Sequence, residues 1–413
     1  MPNQVIVAHY HELWLKGKNR NFFLAKLVAA LRKALEGLPV ERIGRPENRL
    51  VIEFGTEPPM GEVVSRLERV FGVAYYGVAR AVERSGEHGL QDIARAAWEE
   101  VREENFKTFA VRAKRSDKSF PYRVIEIESA VGRYLLDRLR ESGREVRVQL
   151  NDPELTCRIE IPPGPALIYA RKIPGPGGLP ANTAGKMMCL LSGGFDSAVA
   201  AYKMMKRGAH LSFVHFWGGG AQPGESSVHV ARELVRRLVP YQFTAKLHLV
   251  PFEPIQREIV RSAPESYRLL LYRRMMLRIA DELAKLDHAQ GIITGDSLGQ
   301  VASQTLQNMV TVGDAVRMPV FRPLAGDDKL EILAIARKIR TYDISAEPFH
   351  DCCPMFLPRT PALHASAEEL NRAEIQLDVP GLVRRGLETA ATERYYFANG
   401  HAERMETVKS ARV

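Results

Sequence analysis

A short apolar run, Met188 to Leu191, ends in Ser192-Gly193-Gly194-Phe195-Asp196-Ser197 and passes at once into the amphipathic stretch Ala198 to Met205. That order reads as a buried strand, a tight turn and a helix, and it commits this half of the chain to an α/β fold. Gly193 and Gly194 lack a β-carbon, so the backbone can bend sharply and bring N–H groups against anionic oxygens. The positive end of the following helix draws the same anion. Ser192 and Ser197 add hydroxyl donors. Asp196 would repel a phosphate on its own, and its sensible task beside one is to hold a Mg²⁺ ion that bridges phosphates. The turn is therefore expected to grip a pyrophosphate group, against the bland alternative of a plain strand-to-helix connection.

The turn is not the common G-x-x-x-x-G-K-[ST] loop. Gly185-Lys186 comes near that pattern, but Pro180 stands where its first glycine belongs and Met187 follows the lysine. It resembles instead the PP-loop of the ATP pyrophosphatases, which split ATP into AMP and pyrophosphate while adenylating a carbonyl-type oxygen. ATP is the co-substrate this resemblance implies.

From Met187 onward strand-like and helix-like runs alternate: Met188 to Leu191, Ser197 to Lys206, Leu211 to Phe216, Ser226 to Leu238, Lys246 to Val250, Tyr267 to Leu286 and Gly291 to Thr294. Such repetition predicts a doubly wound parallel sheet, with its ligand beyond the carboxyl ends of the strands. The N-terminal half also alternates, over Val5 to Ala8, Asn19 to Leu35, Leu50 to Phe54 and Gly61 to Val70, then Leu90 to Arg102, Thr108 to Ala113, Val124 to Leu139 and Cys157 to Ile161. Two small α/β units are expected there. Prolines and glycines from Ile161 to Gly185 mark the boundary between the halves. The expected division is 1–75, 76–165, a linker over 166–185, and 186–413.

A chain of 413 residues, 45% hydrophobic and 26% charged, suits a soluble protein of two or three domains. No apolar run approaches the roughly 20 residues that cross a bilayer, and the opening residues lack the layout of a signal peptide, so no membrane association and a cytoplasmic location are expected. The cysteines, at 157, 189, 352 and 353, form no C-x-x-C pair, and structural zinc is not expected. The net charge of +9 favours a polyanionic partner.

The cations have a pattern. Lys16, Lys18 and Arg20 stand between a strand and a helix, and the run from Lys107 to Arg123 carries Arg112, Lys114, Arg115 and Lys118 together with Phe120 and Tyr122. Alternation would set Arg112 and Lys114 on one face of an extended segment. Cations also protect sheet edges, but cations interleaved with aromatics fit phosphate gripping and base stacking in RNA recognition. These segments resemble the tRNA 4-thiouridine synthetase family, the ThiI-type sulfurtransferases. His11 to Arg20 is similar to the family's opening and Phe109 to Phe120 to the core of its THUMP domain. The likeness continues through Pro174 to Pro180, the PP-loop, Arg273 to Arg278, Thr294 to Thr305 and Arg322-Pro323-Leu324. The resemblance implies an N-terminal ferredoxin-like domain, a THUMP domain that binds the tRNA acceptor region, and a PP-loop domain that thiolates uridine at tRNA position 8.

Oxide is a poor leaving group, so exchanging a uracil oxygen for sulfur requires prior activation. Attack of O4 on the α-phosphate of ATP would form an adenylate and release pyrophosphate, with the loop and Mg²⁺ on Asp196 stabilising the departing charge. The resemblance sets Leu191, Ser192, His215, Phe216, Arg273, Gly295 and Gln304 around the nucleotide, with Gly193, Gly194 and Ser197 in the loop. Singly, Arg273 reads as a solvated helix face and Phe216 as core. Asp296 is a possible second acid where the family commonly has glutamate. The family's catalytic cysteine aligns with Cys353, which would carry or attack a persulfide, in a loop that also holds Cys352. Cys157 and Cys189, embedded in strand patterns, read as small core hydrophobes. No rhodanese-type active loop follows Asn371, so sulfur would arrive from a cysteine desulfurase or another persulfide donor. An iron–sulfur cluster is not expected without a C-x-x-C pair. The family also suggests a homodimer. Thiolation of another tRNA base, sulfur supply for thiamine thiazole synthesis, and a non-catalytic RNA-binding protein remain open alternatives.

Overall fold

The computed structural model describes residues 4–84, 89–218, 227–347 and 360–409, in two compact units, Met1–Gly178 and Leu179–Val413. The first unit runs β1 (Gln4–His9), α1 (Arg20–Ala34), β2 (Val40–Gly44), β3 (Leu50–Phe54), α2 (Met60–Leu67) and β4 (Tyr75–Val82). It continues with α3 (Gly89–Val101), β5 (Thr108–Arg115), α4 (Val124–Glu141), β6 (Arg147–Val148), β7 (Leu155–Ile161), β8 (Ala166–Tyr169) and β9 (Ile173–Pro174). A 3₁₀ segment, Glu12–Asn19, leads into α1.

The first six of these elements form the ferredoxin-like order β2-β3-β1-β4, with β1 antiparallel to both neighbours. The two expected α/β units share one continuous sheet, β2-β3-β1-β4-β8-β7-β5-β6, among the described residues. β4 is shared: Tyr75 to Arg80 pair with β1, and Arg80 to Val82 pair with β8. Gly77 allows this junction, since a Cβ there would lie 2.4 Å from the Tyr169 ring. Residues 166–169, expected in a linker, are the fully buried β8. Pro162, Pro163 and Gly164, at φ +102, only close the hairpin from β7 to β8. The run of prolines masks a core strand four residues long.

A buried ionic cluster bridges the two parts of this sheet. Arg49, fully buried, places Nη1 2.8 Å from Glu160 Oε2, a chiefly Coulombic contact, and donates through Nη2 to Ser116 Oγ at 2.9 Å. His9 Nε2 lies 2.8 Å from Glu160 Oε1, which also accepts from the Tyr169 hydroxyl at 2.7 Å. Burial pushes the Glu160 carboxyl up, but His9, Arg49 and Tyr169 together pull it down to about 2. Under α3 and α4 the core gathers Phe109, Val111, Cys157, Ile159 and Ile168.

The second unit runs β10 (Lys186–Leu190), α5 (Phe195–Lys206), β11 (His210–Trp217), α6 (Ser227–Leu238), β12 (Thr244–Pro251), α7 (Glu253–Ser262), α8 (Arg268–Leu286) and β13 (Ile292–Ile293). It ends with α9 (Leu306–Gly313), β14 (Val320–Phe321), α10 (Lys329–Lys338), α11 (Tyr342–Ala346), α12 (Ala367–Glu374), α13 (Val379–Glu388), β15 (Ala391–Ala398) and β16 (His401–Lys409). The sheet order is β14-β13-β10-β11-β12-β15-β16. The first five strands are parallel, as the alternation predicts. The chain leaves β10 toward β11 on one side and later returns to β13 on the other, which opens a crevice at the head of β10. The β15–β16 hairpin adds an antiparallel edge on β12 that the sequence reading lacked. Its pattern is obscured by Glu393, a fully buried carboxylate held by Arg232 at 2.6 Å, Arg404 at 3.1 Å and the Tyr395 hydroxyl at 2.7 Å.

Candidate active site

A cavity of about 340 Å³ occupies that crevice. Leu191, Ser192, Asp196, Ser197, Phe216, Arg273, Gly295 and Gln304 all line it, so most of the residues singled out for the nucleotide meet in one place. The strand heads deliver Leu191, Phe216 and Gly295, and α8 delivers Arg273 together with the apolar Leu269, Met276 and Leu277.

The loop is stitched by its own hydroxyls. Ser192 N donates to Ser197 Oγ at 3.1 Å, and Ser197 Oγ lies 3.1 Å from Ser192 O and 3.2 Å from Gly194 O. Ser197 thus holds the turn's shape. Neither Gly193 nor Gly194 takes a positive φ; Gly194 is extended at φ −77, and a Cβ there would meet nothing nearer than Ser192 Oγ at 3.5 Å. At Gly194 the value is open space beside the amide rather than left-handed backbone. Gly295 is different, because its Cβ would lie 2.7 Å from Ser197 N and 2.9 Å from Asp196 C. The end of β13 and the first turn of α5 touch backbone to backbone there.

His215 lies behind the cavity wall, buried, with Nδ1 2.8 Å from Leu191 O and Nε2 2.9 Å from Ser227 Oγ. It positions the Leu191 carbonyl.

Asp296 is the hub of the wall. It is 4% exposed, and its oxygens take Arg273, Thr294 Oγ1 at 2.8 Å and Gln304 Nε2 at 3.3 Å, with Arg322 Nε 3.4 Å away. Burial raises its carboxyl pKa, but the two guanidiniums and Thr294 bring it below the ordinary value. Arg273 also donates to Ser303 Oγ at 2.8 Å, so the default of a solvated helix face does not apply to it. Gln304 Oε1 is buried without a partner.

Asp196 meets two residues that the sequence reading missed. Lys329 Nζ stands 2.7 Å from Oδ1, and Gln300 Nε2 donates to Oδ2 at 3.0 Å. Lys329 opens α10, whose capping box, Asp328 with Glu331, fixes the helix start.

Cys352 and Cys353 lie outside the described residues. The described chain on either side is tied to neighbours of two cavity-lining residues, Asp196 and Gln304. Tyr342 of α11 stacks on Phe195 at 5.1 Å, while Thr305 Oγ1 donates to Leu363 O at 2.7 Å and Asn308 Nδ2 to Ala362 O at 2.9 Å. Cys157 and Cys189 are buried core residues, and burial pushes the Cys157 thiol up to about 12.

The cations of the first unit divide into two sets. Lys18, Arg112, Lys114 and Lys118 are exposed, and Arg112 and Lys114 alternate with the core-facing residues of β5 as expected. Lys16 lies over the Phe23 ring at 4.8 Å. Arg20 stacks on Trp14 at 3.7 Å and donates to Tyr10 and Asn48. Arg115 donates to the carbonyls of Phe120 and Tyr122, both at 2.9 Å, and Phe120 is buried under Arg84. Arg20 and Arg115 are clasps of the fold, and Phe120 has no open face for a base. Among the described residues no three potential metal ligands cluster, and no helix is long and apolar enough to cross a membrane.

Three family domains match in order: the ThiI ferredoxin-like domain over residues 5–77, the THUMP domain over 87–171, and the thiamine biosynthesis protein ThiI over 182–379. A Thermus thermophilus protein named "Probable tRNA sulfurtransferase" is 41% identical across 94% of this chain and 93% of its own length. A Geobacillus kaustophilus protein of the same name is 38% identical across 94% of each. Among solved structures, a 4-thiouridine synthetase in complex with RNA and bound ATP superposes with a TM-score of 0.83 at 31% identity, over 95% of this chain and 99% of that one. With that likeness along nearly its whole length and all three domains in sequence, the chain belongs to the ThiI family.

Proposed function

We propose that the chain is an ATP-dependent tRNA sulfurtransferase, which adenylates O4 of the target uridine with loss of its N3 proton, releases pyrophosphate, and replaces the activated oxygen, which departs in AMP, with persulfide sulfur to give 4-thiouridine, a second thiol closing a disulfide as the sulfane sulfur is reduced. The observation that carries the reading is the cavity at the head of β10, where a glycine-bearing loop, a helix N-terminus, Arg273 and an orphaned amide oxygen converge. ATP fits that donor set. The loop amides and α5 receive the β- and γ-phosphates, Arg273 faces the charge that develops on the α-phosphate, and the apolar side of the cavity takes a nucleobase. Lys329, paired with Asp196 in the loop, adds a positive charge beside the pyrophosphate that forms there.

Mg²⁺ fits only as an ion carried largely by the phosphates, since Asp196 is a single carboxylate and Mg²⁺ usually keeps several waters and phosphate oxygens. Bound there it supplies charge neutralisation of the leaving pyrophosphate. Cys353 supplies or accepts the sulfane sulfur, delivered by a cysteine desulfurase or another persulfide donor. The anchors at Tyr342 and Leu363 support this role, because Tyr342 packs on Phe195, next to the cavity-lining Asp196, and Leu363 accepts from Thr305, next to the cavity-lining Gln304. Lys18, Arg112, Lys114 and Lys118 grip the acceptor region of the tRNA, and a tRNA substrate puts the enzyme in the cytoplasm.

The test is a reconstituted reaction with tRNA transcript, ATP and a persulfide donor. Pyrophosphate release that depends on the tRNA, with 4-thiouridine in its digest, is the expected result. Release indifferent to tRNA, or a digest free of 4-thiouridine, would overturn the proposal.

A further inference from the structure

Gln304 sits in the cavity wall with one end of its amide used and the other not. Nε2 donates to Asp296 Oδ1 at 3.3 Å, while Oε1 is buried and has no partner, in a residue only 8% exposed. An amide can turn over and exchange its donor for its acceptor at little cost, so which end faces a ligand depends on its neighbours. Here the neighbour is an ionised carboxylate, which only accepts. Arg273 and Arg322 hold Asp296 in that state, and the Thr294 hydroxyl fills its other oxygen. The amide therefore cannot turn without setting oxygen against oxygen between two buried side chains.

We infer that Asp296 is a positioning residue that locks Gln304 with its carbonyl oxygen free for the ligand, so that the site selects a nucleobase edge bearing an N–H donor. The inference rests on the nucleotide site proposed above. Two bases of the reaction have such an edge: adenine through its 6-amino group and uracil, in the bound state before O4 is adenylated and the N3 proton is lost, through N3–H. Hypoxanthine presents a 6-oxo group and cytosine an unprotonated N3, and each would put an acceptor against Oε1. A buried acceptor left facing another acceptor discriminates by roughly 10- to 100-fold.

The decisive variant is Asp296→Asn, whose own amide can donate to Gln304 Oε1 and so permits Gln304 to turn. Two ratios are measured: kcat/KM for pyrophosphate release with ATP over ITP, and the affinity for a transcript with the target uridine over one with cytidine in its place. Asp296→Asn is expected to lower one ratio at least about 10-fold, the first if the partner is adenine and the second if it is uracil. Asp296→Glu, which still only accepts, keeps both. A purely structural role would weaken both members of each pair alike and leave the ratios unchanged. Gln304→Leu removes the acceptor without touching the carboxylate and is expected to erase the same preference, which covers an Asp296→Asn protein that does not fold. Unchanged ratios in the folded variants overturn the inference. Wild-type protein that releases no pyrophosphate from any nucleotide would instead refute the proposed function, so the two failures are distinct.

Discussion

Replacing Gly295 with alanine tests whether the cavity is set by the backbone contact between β13 and α5. The added Cβ would lie 2.7 Å from Ser197 N and 2.9 Å from Asp196 C and Ser197 Cα, where ordinary contact begins at 3.4 Å. The backbones must therefore part by about 0.7 Å, and no flexible side chain is there to absorb it. Overpacking of this kind costs about 1–3 kcal/mol, which in a unit of this size lowers Tm by about 2–12 °C. The chemical effect is larger, because a reacting group displaced by about 1 Å can lose roughly 100-fold in rate. Stopped assays of tRNA-dependent pyrophosphate release are expected to show kcat/KM for ATP down about 100-fold in a protein that still melts cooperatively. Gly194→Ala is the control: its Cβ has 3.5 Å to its nearest neighbour and its φ of −77 suits any residue, so the apo fold should be unperturbed. Gly295→Ala within about threefold of wild type would refute the argument that this contact places the loop.

Lys329→Met should lower pyrophosphate release by at least about 10-fold and raise the KM for ATP, since Asp196 then loses its counter-charge beside the phosphates; unchanged kinetics would assign the lysine to the surface. Glu160 has a depressed pKa, so its stabilisation is complete above its ordinary value of 4.5 and lost as pH falls toward about 2. Acid titration by circular dichroism should show the first unit melting in that window, with Glu160→Gln about 3–5 kcal/mol less stable at neutral pH and flatter across it; a Gln variant with the wild-type acid limb would contradict this. Lys114→Ala should reduce the slope of log K against log salt for tRNA binding by about 1, whereas Arg115→Ala should lower Tm with the slope intact, and the reverse pattern would exchange their roles.

The fold of the second unit was legible because its strands are continuous apolar runs between amphipathic helices, the signature of a sheet covered on both faces. The cavity followed from that, since the loop, Arg273, Gly295 and Gln304 all sit at the strand heads of one topological crevice. What failed had physical reasons. Ala166 to Tyr169 is too short to announce itself between prolines, and β15 carries Glu393, a charge that only its distant arginines make tolerable in a core. Arg20 and Arg115 were read by charge, while their partners are backbone carbonyls, a tyrosine and an indole that no local pattern connects to them. Lys329 lies 133 residues from Asp196, so no spacing rule could pair them.

β4 serves two masters at once. Its first residues complete the ferredoxin-like order and its last ones begin the THUMP pairing, while Glu160 on one side is held by His9 and neutralised by Arg49 from the other. A gene fragment cut between the two domains would leave either a raw sheet edge or an uncompensated charge in a dry core. In this chain the two domains thus share one sheet and one buried ion cluster, and the segment from Lys18 to Lys114 crosses that sheet without a break between them.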